Sequence, residues 1–376
     1  MFRTVAILGA AMLLVALATA PIAQSQGATS RQAARPVDVT AHRDYGTHFE
    51  TSERCFPCHN GLTTKAGEDI SIGINWRTSM MGNAGRDPYW MAGVRREMID
   101  HPSAASAIQD ECTICHMPMM RYEATLAGGE GSVFAHLPPN PGKLSDRMSD
   151  DGVSCTVCHQ ITDQNFGTRE SFVGGFKIDE TAKPGQRHIY GPFEVSAGHT
   201  TIMKSSSAFQ PQQGNHIRQS ELCATCHTLL TQALDAQGKV IGELPEQVPY
   251  QEWLHSDVKE TRRCQSCHMP VVTEDVPDSS VFGQPRPGVS RHTFVGGNFF
   301  MQRILNKFRN DLSVKALPQE MDAAATDARC SNLARSGPTA PSQETTTTPE
   351  PRRFVGYYEQ TSGSSGVMLA RAVATK

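Results

Sequence analysis

Ten of the eleven cysteines in this 376-residue chain fall into pairs separated by two residues, and a histidine directly follows each pair. The five C-x-x-C-H words are Cys55–His59, Cys112–His116, Cys155–His159, Cys223–His227 and Cys264–His268. The spacing has a chemical reason. Two thiols one short turn apart can add to the two vinyl groups on one porphyrin edge as thioethers. The adjoining imidazole then lies under the macrocycle, where it can bind the iron. The word is therefore the attachment signature of c-type haem. It predicts five covalently held haems, on Cys55/Cys58, Cys112/Cys115, Cys155/Cys158, Cys223/Cys226 and Cys264/Cys267, with His59, His116, His159, His227 and His268 as proximal ligands.

Other chemistry of cysteine explains the pattern less well. Five disulfides, zinc sites or thiol redox centres would all use paired cysteines. None of them requires a histidine after every second cysteine. The eleventh, Cys330, has no partner in the pattern and reads as an inert thiol.

Five irons need up to five distal ligands, and nine histidines lie outside the words. A repeat helps to choose among them. Residues 48–59 and 216–227 both read H-x-x-x-S-E-x-C-x-x-C-H. A W-x-x-S follows each, at Trp76–Ser79 and Trp253–Ser256, and then a C-x-x-C-H-M-P at Cys112–Pro118 and Cys264–Pro270. This arrangement suggests a duplicated two-haem module with the third attachment word inserted between the copies. Equivalence then selects His48 with His216, and His136 with His292. His199, in a Gly-containing loop, is the fifth choice, with His101 and His255 in reserve and His42 and His188 read as solvated. Met80 or Met81 could replace a histidine and raise that haem's potential, although core packing is the commoner use of such a methionine.

The rest of the chain has to position these groups. Residues 1–23 read as a secretory signal peptide, with Arg3 before an apolar run from Val5 to Ala20 and a cut between 20 and 28. The competing reading is an uncleaved membrane anchor. Export fits c-type haem and places the protein in the periplasm. A polar arm occupies 24–45, the pentahaem domain 46–320, and a Ser/Thr/Pro-rich tail without a packed core 321–376. Helices are expected near Tyr89–Ile99 and Phe299–Asn310, and 121–215 is expected to be loop-rich. The balance of 35 basic to 38 acidic residues offers no nucleic-acid patch and little attraction to a membrane surface. With 31 Gly, 23 Pro and 7% aromatic residues, the fold class is mainly α with extensive loops wrapped around porphyrin.

The spaced attachment words, the two C-H-M-P words and the R-H-T-F-V-G-G-N beginning at Arg291 resemble periplasmic multihaem c-type cytochromes. The class is the one related to the tetrahaem cytochrome of nitrifying bacteria, and the resemblance spans roughly residues 46–310. It implies a multihaem cytochrome c fold organised around stacked haems, mostly bis-histidine ligation, and electron relay between redox proteins such as a quinol-linked donor and a terminal acceptor. Some such cytochromes continue into a further C-terminal domain, from which the short tail here departs. Related nitrite reductases use C-x-x-C-K at the catalytic haem and hydroxylamine-type enzymes cross-link a tyrosine to it. This chain has no C-x-x-C-K, and its seven tyrosines form no telling pattern. An electron carrier is therefore the first expectation. A multihaem reductase or oxidase with one open iron, or a subunit of an extracellular electron-transfer assembly, are the alternatives.

Overall fold

The computed structural model describes residues 48–335 apart from 236, 238 and 297. The proposed signal peptide, the polar arm, His42 and the tail beyond 335 lie outside the described residues. The architecture is 45% helix and 10% strand with many loops. Among the described residues no helix is long and apolar enough to cross a membrane.

Helices α1 (Phe56–His59), α2 (Ile72–Arg77), α3 (Pro88–Asp100), α4 (Ala105–His116), α5 (Pro118–Leu126), α6 (Leu144–Asp150) and α7 (Cys155–Cys158) come first. A short parallel pair, β1 (His188–Gly191) with β2 (Gln210–Gln213), brackets α8 (Ala197–Ser207). Then come α9 (Ser220–Ala224), an antiparallel hairpin of β3 (Leu229–Leu234) and β4 (Val240–Gln247), α10 (Pro249–Leu254), α11 (Cys264–His268), α12 (Phe299–Lys307) and α13 (Pro318–Arg335).

Local chemistry sets the boundaries that matter here. Asp87 caps α3 by accepting from the amides of Tyr89 (2.8 Å) and Trp90 (3.2 Å), and Pro88 supplies a preset first turn. Trp90 and Val94, four residues apart, then face inward on one stripe. The helix stops at Asp100 because Pro102 follows closely. α4 carries the second attachment word in its last turn, and Pro118 opens α5 directly after it.

The main core gathers Phe49, Trp90, Met117, Met119, Val157 and Ile161 around the first three attachment segments. It is rich in methionine, whose unbranched thioether fills irregular gaps. A second cluster joins Leu62 and Ile70 to Val272, Val276 and Val289, so the segment after the first word packs on the segment after the fifth. A third holds Met301 and Leu305 of α12 against Met321 of α13, with Met80 packed on it. Met80 is thus a core residue.

This last cluster moves the boundary drawn at 320. Helix α13 runs through it, with Met321 and Ala325 buried. The stretch from Pro318 to Arg335 contains alanine, methionine, glutamate and arginine, good helix formers that the later Ser/Thr/Pro-rich composition overshadowed.

Ion pairs tie the layers together. Arg86 and Asp150, both buried, meet at 2.7 Å. Lys315, on the loop between α12 and α13, reaches Glu53 at 3.2 Å and Asp150 at 3.7 Å. Burial raises the Glu53 carboxyl, but Lys315 and Arg77 together bring it below its ordinary value.

Candidate functional site

Each attachment word folds as about one helical turn. The amides of His59, His159 and His227 donate to the carbonyls of Cys55 (3.1 Å), Cys155 (3.0 Å) and Cys223 (2.8 Å). Residues three apart on a helix share a face, so both thiols of a word point to one side. The ten thiols are free of disulfides. Burial raises those of Cys58, Cys112 and Cys158, the last to about 12. Those of Cys115, Cys155 and Cys223 rise because each is hydrogen-bonded to a second thiol, with burial adding to the effect. Two of the partners move the other way, Cys226 lowered by Cys115, and Cys264 lowered to about 6 by Cys223.

The histidines carry the clearest signal. In all five words Nδ1 bonds to an oxygen that can only accept. His59 reaches the Asp278 carbonyl at 2.7 Å, His116 the Ala84 carbonyl at 3.1 Å, and His159 the Tyr190 carbonyl at 2.6 Å. His268 reaches the Val295 carbonyl at 2.7 Å, and His227 the side-chain oxygen of Gln247 at 3.2 Å. Because these oxygens have no proton to give, Nδ1 must carry the hydrogen. In the neutral ring the lone pair then belongs to Nε2, which is how metal-binding histidines are oriented. Burial pushes His116 down to about 4 and also lowers His159, so both rings are neutral at pH 7.

Three of the proposed distal residues follow the same rule. His48 Nδ1 meets Glu123 at 3.2 Å, and the His48 amide donates to the same carboxylate. His136 Nδ1 meets Asp146 at 2.7 Å. Burial raises Asp146, but its bonds from His136, Asn140 and Lys143 outweigh that and lower it. His292 Nδ1 donates to the Ser290 carbonyl at 3.1 Å, and burial together with His159 and His59 pushes the ring down to about 3. The rings of His292 and His159 lie 6.2 Å apart, centre to centre, and 21° from parallel. Two imidazoles sharing one metal, each with a metal–nitrogen bond of about 2.0 Å, have centres roughly 6 Å apart.

The other two proposed distal residues are placed differently. His216 uses Nε2, donating to the Ile161 carbonyl at 2.8 Å. Its Nδ1 edge faces Gly214 so closely that a β-carbon there would come within 3.0 Å of Nδ1. His199 lies in the first turn of α8 and not in a loop, because Ser196 caps that helix. Both of its nitrogens are engaged, with Ser196 Oγ at 2.7 Å and the Phe282 carbonyl at 3.1 Å. Among the reserves, His101 Nε2 is 3.8 Å from Glu97, whereas His255 follows the Nδ1 rule, bonding the Gln251 carbonyl of its own helix at 2.7 Å. His188 is half-buried in β1, 6.2 Å from Tyr190, and so is not a fully solvated group.

The contacts also revise the repeat. The indole of Trp76 donates to the Val153 carbonyl at 2.8 Å, and that of Trp253 to the Arg262 carbonyl at 2.7 Å. Val153 stands two residues before Cys155, and Arg262 two before Cys264. Ser79 and Ser256 each bond back to their tryptophan's carbonyl at 2.7 Å. Cys55 hydrogen-bonds Cys155, and Cys223 hydrogen-bonds Cys264, in both cases first cysteine to first cysteine. The copies are therefore words one and three against words four and five. The second word is the insertion, and its shared C-H-M-P with the fifth is not the mark of equivalence. After the fifth word Pro270 leads into an extended bridge between Val271 and Ser290, whereas Pro118 starts a helix.

A further thiol contact joins Cys115 to Cys226, and Cys158 interacts electrostatically with both Cys223 and Cys226. The words thus neighbour one another in the spatial order one, three, four, with two and five each beside four. Sequence order does not foretell this, since only folding reveals which words meet.

These residues fit haem c. The donor set is a thiol pair and an oriented, neutral imidazole, repeated. Buried polar atoms without a protein partner, Arg54 Nε, Gln265 Oε1 and Thr293 Oγ1, adjoin the first word, lie within the fifth and adjoin His292. Among the described residues no cluster of His, Cys, Asp and Glu assembles into a protein-only metal site. Comparison with protein-family models, curated proteins and solved structures returned no match.

Proposed function

We propose that the protein is a pentahaem c-type cytochrome of the periplasm that relays electrons between redox proteins, its fold organised around stacked haems. The observation that carries this reading is the common Nδ1 anchoring of His59, His116, His159, His227 and His268. Five independent segments orient an imidazole in the way a metal requires, each beside a thiol pair. When bound, haem c supplies a one-electron iron couple. The protein's own residues attach it and hold each imidazole in one tautomer. Intact mass of the exported protein tests the reading. Five haems per chain are expected, and four or fewer in a fully matured sample would sink it.

One observation favours the second reading, an enzyme with an open iron. Of the candidate distal residues only His48, His136, His292 and the reserve His255 are anchored through Nδ1, four against five irons. An iron without a strong distal ligand has a position for a small molecule. Electron paramagnetic resonance of the oxidised protein separates the readings, since a carrier closed throughout has low-spin iron only. A high-spin signal together with carbon monoxide binding supports the enzyme.

A further inference from the structure

We infer that the fifth haem is the docking port of the relay and that the exposed segment 257–263 beside it receives an acidic redox protein. The inference rests on the haem reading above. The spatial order of the words leaves three ends, one, two and five. The second is the buried end, because His116 is stacked under Trp90 at 4.2 Å and 3° from parallel. The first is roofed by residues 278–280, whose Asp278 carbonyl holds His59 and whose Ser280 amide donates to the Cys58 carbonyl at 2.7 Å. The fifth is open. Of the ten attachment thiols, only that of Cys267 is exposed. All ten are compared in the same state, so the difference belongs to the protein around them.

The surface leading to that word suits one kind of partner. Every residue from 257 to 263 is exposed. Lys259 and Glu260 lie 3.9 Å apart and offset each other. Arg262 and Arg263 then outnumber Asp257, and they directly precede Cys264. The Arg262 carbonyl is held by Trp253 and the Arg263 amide bonds Ser266 Oγ at 3.1 Å, so both cations stand on fixed backbone. Val258 (41% exposed) and Val271 (49% exposed) flank the word in sequence and offer apolar contact. Like-signed charges at such a site steer an oppositely charged protein. The step is a single electron transfer. The partner's cofactor loses one electron and the fifth iron passes from ferric to ferrous, with no bond made or broken.

The test uses the full holoprotein and an acidic flavodoxin in its hydroquinone state as donor, followed by stopped-flow haem absorbance. In Arg262→Glu/Arg263→Glu the rate at low salt should fall by about tenfold or more. The difference from wild type should shrink to roughly twofold near 1 M salt, where the Debye length is about 3 Å. Reduction by dithionite should match wild type. In Cys264→Ala/Cys267→Ala, intact mass should show one haem fewer, and flavodoxin should reduce the remaining haems far more slowly. Unchanged flavodoxin rates in the charge-reversal variant would overturn the port, as would slowing that dithionite shares. The charge-reversal variant decides the matter even if the cysteine variant fails to mature. A wild-type chain with no haem mass would instead be the failure of the haem reading itself.

Discussion

Replacing His292 with alanine should open one iron and leave the other four untouched. The argument is geometric. His159 and His292 are separated by 6.2 Å between ring centres, which matches two imidazoles on one metal, and each has Nδ1 committed to a carbonyl. Burial keeps both rings neutral, His292 with a pKa of about 3. The variant keeps Cys155, Cys158 and His159, so its haem stays attached and the intact mass still shows five. One haem of the five should convert from low spin to high spin. The reduced variant should bind one more carbon monoxide per chain than wild type. Paired controls sharpen the test. His199→Ala and His216→Ala should leave the spin state unchanged, because both rings already use Nε2 on backbone carbonyls. If His292→Ala kept the wild-type spectrum and carbon monoxide stoichiometry, the shared-iron geometry would be wrong. If His216→Ala produced the high-spin signal instead, the Nδ1 rule itself would fail.

Other predictions follow from the scaffold. Trp76→Phe should perturb the third haem and Trp253→Phe the fifth, each through loss of one hydrogen bond worth about 1 kcal/mol, and resonance Raman of the two variants should show different haems affected. Arg86→Met removes one partner of a buried ion pair, which costs about 3–5 kcal/mol. A chain of this size should then lose on the order of 10 °C in Tm by circular dichroism. The Glu246 carboxyl is pushed up, by burial first and by Glu111 and Glu97 next, from an ordinary 4.5 to about 7. A folded-state pKa above the unfolded one stabilises fully at low pH, and the gain is lost as pH rises through 7. Glu246→Gln should therefore leave stability at pH 4 nearly unchanged and raise it at pH 8 by an amount on the order of 3 kcal/mol, measured by denaturant titration at both pH values. Equal effects at the two values would contradict the sign.

How much of this was legible beforehand depends on the range of the interaction. The five C-x-x-C-H words are local patterns, and each folds as a short turn. The helix expected near Tyr89–Ile99 is present as Pro88–Asp100. The distal set was not legible, because a ligand is defined by which ring nitrogen is left over. That depends on carbonyls such as Ile161, 55 residues from His216. The repeat was half legible for a similar reason. His48 and His216, Trp76 and Trp253 stand in matching words. The bonds that reveal their partners reach from Trp76 to Val153, past the second word altogether.

That reach has a consequence for how the molecule is made. Cys55 and Cys155 lie 100 residues apart in sequence, yet the fold makes their thiols neighbours. If the chain is exported as proposed, N-terminus first, its first word emerges long before its spatial neighbour. The fourth and fifth words, 41 residues apart, can meet almost at once. The two halves of the duplicated unit must therefore mature on different schedules. The early half has to stay open while α3, α4 and α5 are threaded into place between its members. The order of assembly is then a property of the connectivity, and a chain with residues 80–150 transplanted to the end would be expected to close its first pair as promptly as its second.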